Sequence, residues 1–196
     1  PVVCAPMGGV AGGRLAAAVT AAGALGMIGM GSAGSAAALR REIDALHANG
    51  VTCEPWGIGM VDWGITRHPD MFEVALEARP AVVSVSFGEW GVGVAPQWIA
   101  AAQNVGALAV TQVSTAEEAK RAADAGLDAV IARGEEAGGH GDHQRPGRLL
   151  LQEVLGAVDI PVLAAGAIHT AEDLVRVLSE GAAAVWVGTA FSACTE

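Results

Sequence analysis

Eight short apolar runs recur along the chain, separated by glycine-rich junctions and alanine-rich segments of helical period. The runs are Val2 to Ala5, Gly26 to Gly29, Trp56 to Met60, Ala81 to Ser86, Ala107 to Gln112, Ala129 to Ala132, Pro161 to Ala165 and Ala184 to Val187. Nearly continuous apolar runs of this length suit strands buried on both faces, the condition of a parallel sheet covered by helices. The segments between them carry helix start and stop signals. In "STAEEAKRAADAG", Ser114 or Thr115 is the cap, Glu117 and Glu118 occupy the first turn and Gly126 terminates; "TAEDLVRVLSEG" repeats the design with Thr170 and Gly181. Eight parallel strands close a barrel. The count and even spacing therefore predict an α/β fold of the TIM (β/α)8 type rather than a doubly wound open sheet.

With 196 residues and 52% hydrophobic content, the chain can bury a full core as one domain spanning residues 1–196. No apolar run is long and unbroken enough for a membrane span, and the net charge of −10 argues against a nucleic-acid partner. Cys4, Cys53 and Cys194 have no metal-ligand spacing and leave one cysteine unpaired, which suits a reducing, cytoplasmic setting. Cys4 reads as a buried small hydrophobe. His140 and His143 without a convergent carboxylate do not make a metal site.

In a βα barrel the loops after the strands form the working face. Here these loops include "PMGGVAGG", "VDWGITRHP", "FGEWGVGV", "RGEEAGGHGDHQRPG", "GAIHT" and "GTAF". The stretch "GEEAGGHGDH" (134–143) is too polar for a core and too rich in glycine for a helix, so it reads as a functional loop. After the last two strands, Gly166 and Ala167 lie level with Gly188 and Thr189. Such positions serve either as tight turns or as backbone donors to a phosphate, and their joint occurrence at adjacent strand ends favours the phosphate. Trp56, Trp63, Trp90 and Trp98 gather near the loops after the third and fourth strands, as a pocket roof, an interface or core. His47 and His68 read as surface residues. His169 lies at a helix start within reach of the phosphate loops.

"CAPMGGVAG" at the first strand, "RGEEAGGHGD" after the sixth, "AAGAI" after the seventh and "VWVGTAF" at the eighth resemble the nitronate monooxygenases, formerly called 2-nitropropane dioxygenases. That family consists of FMN-dependent barrels, and the resemblance runs in the same order from Pro1 to Glu196. It implies oxidation of alkyl nitronates or nitroalkanes with molecular oxygen. Flavin-dependent enoyl reductases using NAD(P)H share most of these elements, and a non-catalytic flavin-binding module is the alternative outside enzymes. The resemblance also implies roles. Pro6 and Met7 match the segment against the isoalloxazine ring, and Arg133, Gly138 and Gly139 match positions around the flavin and its ribityl chain. The phosphate falls on Gly166, Ala167, Gly188 and Thr189, with Trp186 and Val187 just before them. His140 matches the histidine that serves as a base on the carbon beside a nitro group or holds the substrate, a role suited to a side chain that titrates near neutrality. Glu135, Glu136 and His143 read as a solvated face of the same loop.

Three positions depart from the family pattern. Gly59 stands where many members carry asparagine, Arg133 where glutamine is usual, and Ala167 where a second glycine is usual. The backbone donors survive the last change provided that Ala167 is not required at positive φ. After the eighth strand only "GTAFSACTE" remains, too short for the helix that would cover strands eight and one. The expectation is an exposed apolar strip there, covered by further native chain or by a partner subunit such as a second copy in a homo-oligomer.

Overall fold

A computed structural model describes residues 1–88, 93, 95–141 and 145–195. The strands are β1 (Val2–Cys4), β2 (Gly26–Met30), β3 (Trp56–Val61), β4 (Val82–Ser86), β5 (Leu108–Val113), β6 (Ala129–Arg133), β7 (Val162–Ala165) and β8 (Ala184–Val187). Every strand expected from the sequence is found, its ends displaced by at most one residue. The helices are α1 (Gly13–Ala21), α2 (Ala36–Ala48), α3 (Asp62–Arg67), α4 (Pro69–Glu77), α5 (Gln97–Asn104), α6 (Ala116–Asp124), α7 (Gly147–Leu155) and α8 (Ala171–Ser179), followed by a 3-10 turn at Thr189–Ala193. Among the described residues no helix is long and apolar enough to cross a membrane.

All the strand pairs are parallel, in the order β1-β8-β7-β6-β5-β4-β3-β2. The ring closes between β1 and β2. There Val3 bridges Leu25, the Cys4 N–H donates to the Leu25 carbonyl at 3.0 Å, and the Leu25 N–H donates to the Val2 carbonyl at 3.0 Å. Closure removes the sheet edges that would otherwise offer unpaired donors and acceptors.

Strand alternation divides the apolar residues into two layers. One set, including Val3, Met27, Val82, Val110, Ile131, Ala165 and Trp186, packs inside the barrel. The other, including Ile28, Ile58, Val83, Val85, Val130 and Val185, packs against helix residues such as Leu39, Leu46, Trp98 and Leu151. Full burial of one such aliphatic side chain is worth about 1.5–3 kcal/mol. The outer faces of β1 and β8 are covered as well: Cys4, Val185 and Val187 are buried, with Leu15 and Val19 of α1 and Phe191 of the 3-10 turn packed in the Cys4 cluster. The strip expected over these strands is therefore closed apart from half-buried Val2, because the turn after β8 folds Phe191 back onto the barrel. Burial, with nearby Cys194 adding to it, pushes the Cys4 thiol up to about 12, so it packs as a neutral group.

The caps follow the sequence reading. Thr115 accepts from the Glu118 N–H at 3.1 Å, and Thr170 and Asp173 form a reciprocal capping box. Gly126 and Gly181 follow their helices at positive φ.

Candidate functional site

The carboxyl ends of the strands surround a cavity of about 450 Å³. It is lined by every residue singled out above for catalysis or cofactor contact: Pro6, Met7, Arg133, Gly138, Gly139, His140, Gly166, Ala167, Trp186, Val187, Gly188 and Thr189. His143 and Trp90 lie outside the described residues.

The floor on the β1 side is built by close approach of backbone. The Pro6–Met7 segment crosses the ends of β2 and β3, and a Cβ on Gly29 would lie 2.7 Å from the Pro6 oxygen and the Met7 carbonyl carbon. A Cβ on Gly59 would fall within the Pro6 ring. Position 59 therefore cannot hold a side chain while Pro6 keeps its seat, which explains why glycine stands there. Gly29, Gly31 and Gly34 have the G-x-G-x-x-G spacing, but they span the end of the second strand of a barrel, Gly29 lying within it, and the first and second make room for the Pro6–Gly8 segment.

Across the cavity, β7 and β8 end level with one another, since Ala165 pairs with Trp186. Among the described residues the N–H groups of Gly166, Ala167, Gly188 and Thr189 have no hydrogen-bond acceptor within the chain. Four unmatched donors at two neighbouring strand ends make a cradle for an anion. Gly166 has φ +118 and Ala167 φ +48, so the alanine adopts a backbone conformation that favours glycine. Ala167 does stand at positive φ, the case that the proviso set apart, and its N–H is nonetheless left without an acceptor among the described residues, at a strain cost. Trp186, 5% exposed, has its indole Nε1 buried without a partner among the described residues, an orphan donor in the wall of the same cavity.

Arg133 ends β6 and is only 4% exposed. Its Nη1 donates to the Gly138 carbonyl at 3.4 Å, and its guanidinium carbon lies 5.1 Å from the centre of the Phe87 ring. Burial lowers its pKa, with Glu118 acting in the opposite sense. A solvent-facing arginine at this position is excluded.

His140 is exposed at the cavity mouth and is held by two aromatic rings. Trp63 in α3 lies 5.5 Å from it edge-on, Phe87 lies 5.8 Å from it, and the two aromatics are 5.9 Å apart. The indole of Trp63 donates to Ser32 Oγ at 3.1 Å. Sequence reasoning missed Phe87; its placement directly after a buried strand and before a glycine was the available signal. Of the other tryptophans, Trp56 and Trp98 belong to the core. Glu136 is exposed, as the reading of a solvated face expects, and it also supports the fold. Its Oε2 accepts from the Gly147 N–H at 2.9 Å, serving the start of α7, where Pro146 has no capping side chain. His47 is exposed and bonds the Val51 carbonyl at 2.7 Å, and the His169 N–H donates to Asp173.

Residues 60–196 match the family described as nitronate monooxygenase, more than half of the chain. The chain belongs to that family. Among its relatives, a 5-hydroxy-7a-methyl-1-oxo-octahydro-1H-indene-4-carboxyl-CoA dehydrogenase of Rhodococcus jostii is 36% identical over 97% of this chain and 51% of its own length. In structure, a nitroalkane oxidase of Streptomyces ansochromogenes superposes with a TM-score of 0.86 at 33% identity, over 98% of this chain and 66% of that one. FabK of Thermotoga maritima superposes with a TM-score of 0.87 at 32% identity, over 100% of this chain and 60% of its own. The chain thus spans about half the length of the curated relatives that it matches along most of its own length. Nitronate monooxygenases are oxidoreductases, and the family and its structural neighbours are in general flavin-dependent.

Proposed function

We propose that this chain binds FMN in the cavity at the strand ends and belongs to a protein that oxidises alkyl nitronates or nitroalkanes with molecular oxygen. The observation that carries the reading is the set of four unpartnered N–H groups at Gly166, Ala167, Gly188 and Thr189, which suits a single terminal phosphate. The rest of the cavity fits a flavin too: a backbone platform at Pro6–Met7, the orphan indole donor of Trp186 and the buried cation of Arg133. Bound there, the flavin supplies two-electron chemistry between the substrate and oxygen. Arg133 supplies positive charge to a cofactor that becomes anionic on reduction. His140 takes the proton from the carbon beside a neutral nitro group onto a ring nitrogen, and Trp63 and Phe87 keep its imidazole at the mouth. A nitronate has already lost that proton, so for it His140 acts by orienting the substrate.

Two other readings have specific support. The likeness to FabK favours enoyl reduction with NAD(P)H, and the identity to the Rhodococcus dehydrogenase favours oxidation of a hydroxylated carboxyl-CoA thioester. Extraction and chromatography of the cofactor tests the first half of the proposal, with FMN expected and FAD or no flavin after reconstitution overturning it. Anaerobic titration with propionate 3-nitronate, and separately with NADPH, tests the second half. Bleaching of the flavin by the nitronate is the expected result, and bleaching by NADPH alone overturns the nitronate reading in favour of the reductase.

A further inference from the structure

Phe87 is the first residue after β4 and has φ +70, an outlying conformation for a bulky residue, which persists only where its surroundings over-determine it. Those surroundings are the rings of Trp63 and His140 and the guanidinium of Arg133. A second cavity of about 320 Å³ lies beside the first, at the end of β5 and the start of α6. Its wall is polar, with Thr111, Ser114, Glu118 and Arg121. Among the described residues only Phe87, Gln112 and Arg133 line both cavities. These three form the partition. Gln112 and Arg133 belong to strands of the barrel, whereas Phe87 projects from the loop and is the one apolar member. On the far side, the side chain of half-buried Arg121 makes no hydrogen bond or ion pair among the described residues, so the second cavity offers a cation to the end of a ligand that reaches it.

We propose that Phe87 determines substrate size: its ring closes the cofactor-side cavity against the second one, and its removal admits longer substrates, above all those ending in a carboxylate. The inference rests on the nitronate reading for its choice of substrate, not for its geometry. Two variants of the holoprotein test it. Phe87→Ala removes the ring but keeps a side chain at positive φ; Phe87→Gly removes the ring and also the strain, so it retains the fold where alanine fails. Turnover is compared for short and long unbranched nitronates, with a methyl or a carboxylate at the far end. In both variants the kcat/KM ratio of the long carboxylate-ended nitronate to the short one should rise about tenfold or more. The methyl-ended ratio should rise less. Disturbance of His140 lowers all lengths alike and leaves the ratios unmoved.

A second readout does not depend on turnover. Straight-chain dicarboxylates of increasing length should raise the Tm of the wild type only when short, and that of the variants when long as well. Ratios and Tm profiles identical to wild type in a folded variant overturn the proposal. If the wild type oxidises no nitronate while the Tm profile still lengthens in the variants, the nitronate reading fails and the partition stands.

Discussion

Pro6 and Gly59 occupy one space between them: the pyrrolidine ring sits where a side chain on residue 59 would begin. The pair joins the loop after β1 to the end of β3 and sets the height of the cavity floor. Gly59→Ala should therefore displace Pro6 rather than fill a void. The expected cost is roughly 1–3 kcal/mol, as for overpacking elsewhere in a close-packed core, read from the urea midpoint. Flavin affinity should fall with it. A Gly59→Ala protein with the wild-type midpoint and unchanged affinity would show that the segment yields freely.

Ala167 holds φ +48 in the anion cradle. An L-residue in the left-handed region costs about 1–2 kcal/mol, and glycine costs the unfolded chain roughly 0.5–1 kcal/mol in entropy. Ala167→Gly should thus stabilise the fold by about 0.5–1 kcal/mol, while its N–H remains available and phosphate-end affinity stays the same. Thermal unfolding and flavin titration check the two halves separately.

His140 packs against two aromatic rings at the mouth of the cavity. His140→Asn should leave FMN bound and reduce turnover of neutral nitroalkanes more than that of the corresponding nitronates. Equal loss on both substrates would make it a positioning residue. Full activity on both would remove it from the mechanism.

Asp173 should give the fold part of its acid sensitivity. Its carboxylate accepts from the His169 N–H and from both the N–H and the hydroxyl of Thr170, with Arg176 nearby, and these contacts hold its pKa at about 2 against an ordinary 3.8. A folded-state pKa below the unfolded value means that the contribution is complete above the unfolded pKa and lost as pH falls towards the folded one. Relative to Asp173→Asn, the wild type should therefore lose stability from about pH 4 down to about pH 2. Unfolding curves across that range that run parallel for the two proteins would contradict the assignment.

Strand positions, helix caps and the barrel itself were legible in the residue order because each depends on local rules: apolar runs of strand length, a cap residue three before an acidic one, a glycine after the last turn. The cavity wall was legible too, since a barrel brings all strand ends to one face and the polar, glycine-rich loops follow those ends. Other relationships link residues far apart in the chain and exist only once the ring has closed. Gly59 reads as a missing side chain until Pro6 is seen in its place. Glu136 reads as solvated, and it is exposed, but its bond to the start of α7 is not visible along the chain. Phe87 carries only a local signal, its place between a buried strand and a glycine, and it acquires a role because the barrel turns the ends of β3, β4 and β6 towards one another, bringing Trp63, His140 and Arg133 to its ring. Local patterns specify the elements; the packing of one loop against another depends on distances that no pattern along the chain encodes.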